Sequence, residues 1–413
     1  MRAVSFFLFK ILFISAITLS LAVNHVNAQQ FEFSGDRKNQ TINFNLVRNL
    51  VIVPLYINGN GPFNFILDTG VGPLIITDTS IVKDLNLKKL RPVKINGLGK
   101  GLDIDAFISN EIYAKIGKAE IENIPTAILK EDVFALSSYV GVPIHGLLGY
   151  YFFNSFVVEL NYTGRRLKFH RPETKRRIEG EAIPIEIFNN KPYMSVDMDI
   201  PGLGTKSLKV VIDNGASHAI SLETLDEKPF PIPPVSIKAN LGIGLSGPIS
   251  GSVARIPSLR IGSFVLNDVI SSYPDYDNAA TKALFLNRNG NLGAEILTRF
   301  NITFDYNNNF MYLKRNYTFK RPFEHDMSGL EVFVDDALTK RFFISRIEPE
   351  SPAVEAGLLV DDEILSINFT TVGTMTLNDV SKFLRMENGK TLYLAINRKG
   401  ELLIKLIKLK KRI

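Results

Sequence analysis

The sequence predicts a mainly β protein built as two related β lobes, with a smaller unit of different pattern behind them. Three observations carry that expectation. The first is a repeated signature, because Phe65-Ile66-Leu67-Asp68-Thr69-Gly70 returns as Val210-Val211-Ile212-Asp213-Asn214-Gly215. The second is a succession of short apolar runs broken by glycine, proline and asparagine from about residue 29 to 320, the punctuation of strands and turns. The third is a change beyond Arg321, where helix-capping signals begin to alternate with strands.

Residues 1–28 stand apart. Arg2 and Lys10 precede or flank an apolar run, Ile11–Val23, and Val26-Asn27-Ala28 sets small residues where a signal peptidase reads, the layout of a secretory signal. The competing reading is a single membrane anchor, but a spanning helix needs roughly 20 apolar residues and this run is shorter. The expectation is export to a periplasmic, envelope-associated or extracellular location, with no transmembrane segment in the mature chain. The rest is ordinary for a globular protein, 45% hydrophobic and 22% charged over 413 residues, with length for two or three cores. The chain has no cysteine, which excludes disulfides, thiol nucleophiles and thiolate-bound metal and leaves large cores to supply stability. Part of the net charge of +6 is clustered in Lys405, Lys408, Lys410, Lys411 and Arg412. No aromatic residues interleave with that cluster and no base-reading motif accompanies it, so nucleic acid is not an expected partner. The cluster reads as the solvated side of a last strand.

The first lobe is placed at residues 29–173. Leu50–Ile57 reads as a strand ending at the turn Asn58-Gly59-Asn60-Gly61, and the next strand delivers Asp68 onto Thr69-Gly70. An apolar strand emptying into Asp-x-Gly holds a carboxylate at a fixed, partly buried point, since glycine accepts backbone angles that larger residues resist. The second lobe, 174–320, repeats the pattern. Downstream of each aspartate lies a shared segment, Gly146–Tyr162 and Gly290–Tyr306, with Asp68 to Gly149 spanning 81 positions and Asp213 to Gly293 spanning 80. A repeat of this length is no solenoid unit, so each copy is a domain-sized lobe. Arg171–Gly180 between them is a charged connector. Glycine segments follow the aspartates by about 30 positions, at Gly97-Leu98-Gly99-Lys100-Gly101 and Gly242-Ile243-Gly244-Leu245-Ser246-Gly247. The second spells a dinucleotide fingerprint, but Pro248 and a β-rich continuation stand where a helix would have to start. Both read as hairpin turns, which favour glycine, or as a flap over the site.

The C-terminal unit is placed at 325–413. Ser351, Pro352 and Gly357 specify a capped short helix, and Val360–Asn368 a turn leading into a strand. Thr376 with Asp379, followed by apolar Leu377, Val380 and Leu384, signals a second helix stopping at Gly389. Strands at Thr391–Asn397 and Glu401–Lys408 complete it.

This unit resembles a PDZ domain through Ser351-Pro352-Ala353, Ala356-Gly357-Leu358 and Asp361-Asp362-Glu363-Ile364-Leu365 with Ile367-Asn368. The resemblance implies binding of an extended, commonly C-terminal, peptide by strand addition to a sheet edge, with Gly329, Leu330 and Glu331 at the carboxylate-binding loop. The alternative is a domain that only packs on the lobes. Residues 40–315 resemble the aspartic peptidases, the retropepsin-like kind fused into a pepsin-like single chain. The fold implied is mainly β, two pseudo-symmetric aspartic-peptidase-like lobes followed by a PDZ domain.

In that resemblance Asp68 and Asp213 are the catalytic pair, Thr69, Gly70, Asn214 and Gly215 form their loops, and Leu148-Gly149 and Leu292-Gly293 support them. Two carboxylates held close cannot both ionise easily, so the pair keeps one proton. One member can then take a proton from water while the other hydrogen-bonds the scissile carbonyl. The substrate implied is a polypeptide; no cofactor or metal is called for, and a monomer suffices because one chain supplies both aspartates. The chain departs from the family pattern at two places. Val71 and Ala216 stand where many relatives carry a hydroxyl that donates to the carboxylate, which implies raised dyad pKa values and activity at mildly acidic to neutral pH. Asn214 stands where Thr or Ser is expected, which implies an asymmetric brace between the loops. The rival readings are a peptidase-like scaffold with a weakened dyad that binds peptides, or a self-processing or structural envelope component. Histidines 25, 145, 170, 218 and 325 lack metal-ligand spacing, and His218 reads as a hydrogen-bonded loop residue.

Overall fold

A computed structural model describes residues 29–85, 87, 89–95, 104–133, 135–244, 247–275, 288–335 and 340–413. The leader segment 1–28, the glycine segment Gly97–Gly101, and Leu245 and Ser246 of the second glycine segment lie outside the described residues.

Each lobe is organised around the strand that ends at its aspartate. Asn60–Leu67 pairs antiparallel with Leu50–Ile57 and parallel with Gly146–Leu148, which in turn runs antiparallel to Leu74–Ile76. The second lobe repeats this arrangement. Gly204–Asp213 pairs antiparallel with Lys191–Ile200 and parallel with Gly290–Gly293, and the latter runs antiparallel to Ile220–Leu222. These strands are covered on both faces, which is why they read as continuous apolar runs rather than alternating ones: Phe65, Ile66 and Leu67, like Val210, Val211 and Ile212, are buried.

A third sheet joins the lobes. Its six strands include Asn39–Asn43, Arg166–His170 and Val157–Asn161 from the first half and Phe300–Asp305, Phe310–Arg315 and Glu181–Pro184 from the second. At the junction Val158 faces Phe304, Glu159 faces Thr303 and Leu160 faces Ile302. Glu159 and Thr303 occupy matching places in the two copies of the repeat, so the pseudo-twofold axis passes through that pair. One apolar cluster runs without interruption from Phe31 to Phe323, and Phe153 of one half meets Phe304 of the other with ring centroids 5.2 Å apart. Burying a side chain of that size stabilises by roughly 1.5–3 kcal/mol. Separating the halves would expose many of them, and the lobes are therefore two parts of one core.

The C-terminal unit has its own apolar cluster, from Leu330 to Leu409, under a sheet ordered Leu330–Val334, Phe342–Ile347, Glu363–Ile367, Thr391–Arg398, Glu401–Lys408. Ser351 caps the Pro352–Glu355 helix, with Pro352 in its first turn. Thr376 and Asp379 form a reciprocal capping box on the Leu377–Leu384 helix. That helix stops before Gly389, because Arg385 already leaves helical geometry; Gly389, at φ +84°, instead bends the chain into the next strand. The last strand meets expectation at Lys408, which is exposed, and differs at Lys405. Its period-two alternation turns Leu402, Ile404 and Leu406 outward, 67%, 65% and 54% exposed, while Lys405 leans inward with its Nζ over Gly357. Among the described residues no helix is long and apolar enough to cross a membrane.

Candidate active site

The parallel strand pairing in each lobe carries a Leu-Gly step beneath the aspartate. Asp68 N–H donates to the Leu148 carbonyl at 2.8 Å, and Tyr150 N–H returns to the Val71 carbonyl at 3.1 Å. In the second lobe Ala294 N–H donates to Ala216 O at 2.7 Å and Glu295 N–H to His218 O at 3.1 Å. A Cβ on Gly149 would overlap Val71 O and sit 2.7 Å from Asp68 O, and one on Gly293 would overlap His218 O and sit 2.9 Å from Ala216 O. Glycine is required at both places by close approach of backbone to backbone.

The two loops meet face to face across the axis. A Cβ on Gly70 would lie 2.8 Å from the Cγ of Asp213, and one on Gly215 would overlap the carboxyl of Asp68. Each glycine is thus the floor under the other lobe's carboxylate. Neither is among the positive-φ glycines, so the sequence argument from permissive backbone angles is corrected: the need is for space, and it arises from the partner loop. Gly70 N–H donates to Asp68 Oδ1 at 2.6 Å and Gly215 N–H to Asp213 Oδ1 at 3.0 Å.

Behind the carboxylates, Thr69 and Asn214 cross-brace the loops, and both are fully buried. Thr69 Oγ1 donates to Ile212 O at 2.7 Å and accepts from Asn214 N–H at 3.1 Å. From the other side Thr69 N–H donates to Asn214 Oδ1 at 2.7 Å. The symmetry-related donation from residue 214 is missing, since Asn214 Nδ2 has no partner. The amide copies the acceptor half of a hydroxyl and leaves its own donor unused.

A residue that sequence reasoning did not single out breaks the symmetry further. Asn291 Nδ2 donates to Asp213 Oδ2 at 2.6 Å. The parallel pairings place Leu147 beside Ile66 and Asn291 beside Val211, so Leu147 is the first-lobe counterpart and Asp68 receives no such bond from it. The signal was an asparagine in an apolar strand, opposite a leucine in the other copy. Burial, then the charge of Asp213, holds the Asp68 carboxyl well above the usual aspartate range, against the opposing pull of the Gly70 N–H. Asp213 accepts two hydrogen bonds, from Gly215 N–H and Asn291 Nδ2.

Further groups face the pair. Burial lowers the Lys191 ammonium pKa and Arg288 adds to the effect, while the charges of Asp213 and Asp68 oppose it. Lys191 follows a left-handed Asn189-Asn190 turn, as Leu50 follows Arg48-Asn49, a lysine in one copy standing for a leucine in the other. Tyr306 is buried with its hydroxyl unpartnered, and burial followed by the Asp68 charge raises its pKa. His218, partly exposed, lies against Gly293, and desolvation lowers its pKa. Hydrogen bonds to Asn291 oppose that shift, in keeping with the hydrogen-bonded loop residue expected, while His218 Nε2 has no partner. Glu223 and Arg288, both buried, form a two-pronged ion pair at 2.9 and 3.0 Å. Among the described residues no group of three or more His, Asp or Glu could hold a metal.

The residues expected at the PDZ carboxylate loop are engaged from within. Gly329, at φ +79°, donates its N–H to Asp326 Oδ1 at 2.6 Å, and Leu330 N–H donates to Ser328 Oγ at 3.1 Å. Glu331 accepts from the side chain of Asn240. Asp326 thus accepts the N–H of Gly329, one of the groups expected to face a peptide terminus.

A family model described as aspartyl protease matches residues 53–152, and one described as PDZ domain matches residues 343–398. A comparison with curated proteins finds no match. The first match covers the aspartate and Leu-Gly elements of the first lobe; the second lobe is related to it through the repeat and its strand pairing. The chain therefore carries an aspartyl protease domain and, C-terminal to it, a PDZ domain.

Proposed function

We propose that the protein is an exported aspartic endopeptidase in which Asp68 and Asp213 form one dyad and Asp68 carries its proton. The observation that carries the reading is the mutual seating of each carboxylate on the other loop's glycine, which supports a shared proton. Asp213, stabilised as a carboxylate by Gly215 N–H and Asn291 Nδ2, takes a proton from a water held between the pair. Protonated Asp68 hydrogen-bonds the scissile carbonyl, and the resulting hydroxide equivalent adds to the carbonyl carbon. Asp68 passes its proton to the carbonyl oxygen as the bond to water forms, giving a tetrahedral diol; the C–N bond then breaks as Asp213 gives its proton to the leaving nitrogen, and one diol hydroxyl returns its proton to Asp68 and becomes the carbonyl of the new carboxyl group. Atoms and charge balance without a covalent enzyme intermediate. The half-buried Lys191 lowers the cost of a net negative charge in the cleft.

Export rests on the residue pattern of 1–28. The rival, a peptide-binding scaffold with an idle dyad, draws support from the unpartnered Asn214 amide. A peptide library spanning pH 3 to 8 separates the two. Cleavage that stops in Asp68→Asn and in Asp213→Asn, and that a statine-type mimic inhibits, supports the enzyme; no cleavage by the mature chain anywhere in that range supports the scaffold.

A further inference from the structure

The C-terminal sheet ends on the strand Leu330–Val334, which is paired on one side only within the sheet. The helix Leu377–Leu384 packs beside it: Leu377 and Val334 both lie against Gly141 at one end, and Met327 N–H donates to Leu384 O at 3.1 Å at the other. An edge strand beside a helix is a groove for an added peptide strand. Here the first lobe sits on it.

Arg48 Nη2 donates to the edge carbonyl of Val332 at 3.1 Å, and Arg48 N–H donates to Asn378 Oδ1, on the groove helix, at 3.2 Å. Gly141, which ends the helix Leu136–Val140, is packed so closely that a Cβ there would lie 3.1 Å from Leu377 Cβ and 3.5 Å from Val334 Cγ2. The Arg48 guanidinium lies over the Tyr139 ring, 4.4 Å from its centroid. The same residues reach the dyad loop. Tyr139 hydroxyl and Ser217 Oγ share a hydrogen bond of 3.0 Å, and Asn49 Nδ2 donates to Ser217 O at 3.3 Å. Ser217 is in the loop that begins at Asp213.

Two more attachments hold the domain in place. Asn240, on the Ser236–Gly244 strand of the second lobe, bonds both Glu331 on the edge strand and Arg346 beside it. The connecting segment is pinned, with Arg299 donating to Phe319 O at 3.4 Å and Pro322 O at 3.3 Å, and Arg255 donating to Phe323 O at 3.0 Å. This is not a domain on a loose tether.

We infer that the ligand of the PDZ groove is this chain's own first lobe, the Arg48–Asn49 turn with the Leu136–Gly141 segment, and that groove occupancy and the setting of the Asp213 loop are linked through Ser217. A free C-terminal peptide binds only by displacing Arg48, and by reciprocity whatever moves the Ser217 anchors alters that binding. The identity of the occupant is independent of the peptidase reading; only an effect on turnover rests on it.

The absence of native cysteine makes a direct test available. In the full chain, Gly141→Cys with Leu377→Cys brings two thiols near the Cβ separation a disulfide uses, about 3.5–4.5 Å. Mild oxidation should close the intramolecular bond in most molecules, read as loss of alkylation by intact mass. A pool of fluorescein-labelled heptapeptides with free C-terminal carboxylates should then bind at least about tenfold more weakly than after reduction, within the usual range of coupling. The companion variant Arg48→Ala with Asn378→Ala should speed amide exchange across 330–334 and 377–384 by about tenfold and carries the test if the cysteine pair does not fold. Two thiols that alkylate independently under native conditions, equal peptide binding in the two redox states, or unchanged exchange in the companion variant would each overturn the inference.

Discussion

The two lobes hold the same loop in different company. Asp68 has Thr69 behind it, Val71 after it and Leu147 beneath it; Asp213 has Asn214, Ala216 and Asn291. Strand order and pairing are shared, down to the parallel register under each aspartate. What differs is the polarity of a few side chains. The first lobe surrounds its carboxylate with apolar groups and raises its pKa through burial and the facing charge. The second gives its carboxylate an amide donor at 2.6 Å. A duplicated scaffold brings two equivalent acids together, and unequal neighbours then give them unequal roles.

The largest test removes one acid at a time. Asp68→Asn and Asp213→Asn should each lower peptide turnover by at least about a thousandfold, the scale of losing general acid–base catalysis in a preorganised site. Their stabilities should diverge from expectation for a simple loss of contacts. Asp68 binds its proton more tightly folded than unfolded, so its contribution to stability is present below the ordinary aspartate pKa of about 3.9 and is lost as the pH rises through the raised folded value. Asp68→Asn should therefore withstand more urea than the parent chain at pH 7, with the advantage shrinking toward pH 4. An Asp68→Asn variant less stable than the parent at pH 7 would contradict the buried, raised carboxyl.

Next comes the buried pair that only the second lobe possesses. Glu223→Gln or Arg288→Met should each cost about 3–5 kcal/mol, since one partner is left buried with its charge uncompensated. The double replacement should recover much of that loss in a urea titration. At the matching first-lobe positions Asp78 stands for Glu223 and Ile144 for Arg288; the partly exposed contact that Asp78 makes instead, with His145 at 3.9 Å, should cost about 1 kcal/mol or less when cut.

Asn291→Leu makes the second lobe resemble the first. Without the amide donor the charged Asp213 of the proposed mechanism loses a hydrogen bond worth roughly 1.5–3 kcal/mol, so peptide turnover should fall by about ten- to a hundredfold. Unchanged turnover would assign the asymmetry to something other than Asn291. The smallest effect is expected of Asn214→Thr, which replaces an amide having a buried unpartnered donor with a hydroxyl able to donate and accept. A gain of about 1 kcal/mol in urea stability is expected; a loss would show that the amide fits its site better than the hydroxyl.

Much of the local structure was legible because its causes are local. The Ser351 and Thr376 caps and the turn at Asn58–Gly61 lie within a few residues of what they control. The sheet's alternation was legible in principle: the basic cluster was read as the outer face of the last strand, and exposed Lys408 does lie there, but it shares that face with Leu402, Ile404 and Leu406, while Lys405 falls on the other. The lysines drew the reading by composition, whereas the pleat assigns faces by parity. The stop at Gly389 failed for a related reason, a glycine marking the turn after the helix rather than its end.

Asn291 and Lys191 escaped because each acts on a carboxylate far away along the chain. So did the reason for Gly70 and Gly215, each needed for the sake of a side chain in the other lobe. The PDZ groove shows the same limit at a larger scale: the resemblance implied an added peptide strand at its edge, and nothing near it in sequence says that Arg48 donates to the Val332 carbonyl there.

By itself, the sequence determined the chemistry on offer: two aspartates on apolar strands, a repeat that makes the lobes equivalents, no thiol, and a C-terminal unit of different pattern. Those features follow from residue type and short-range periodicity. Tertiary structure alone decided which carboxylate is hydrogen-bonded to an amide, which glycine lies under which acid, and what fills the groove. Each is a contact between segments separated by scores to hundreds of residues, and the energy of such a contact depends on a distance that the order of residues does not contain.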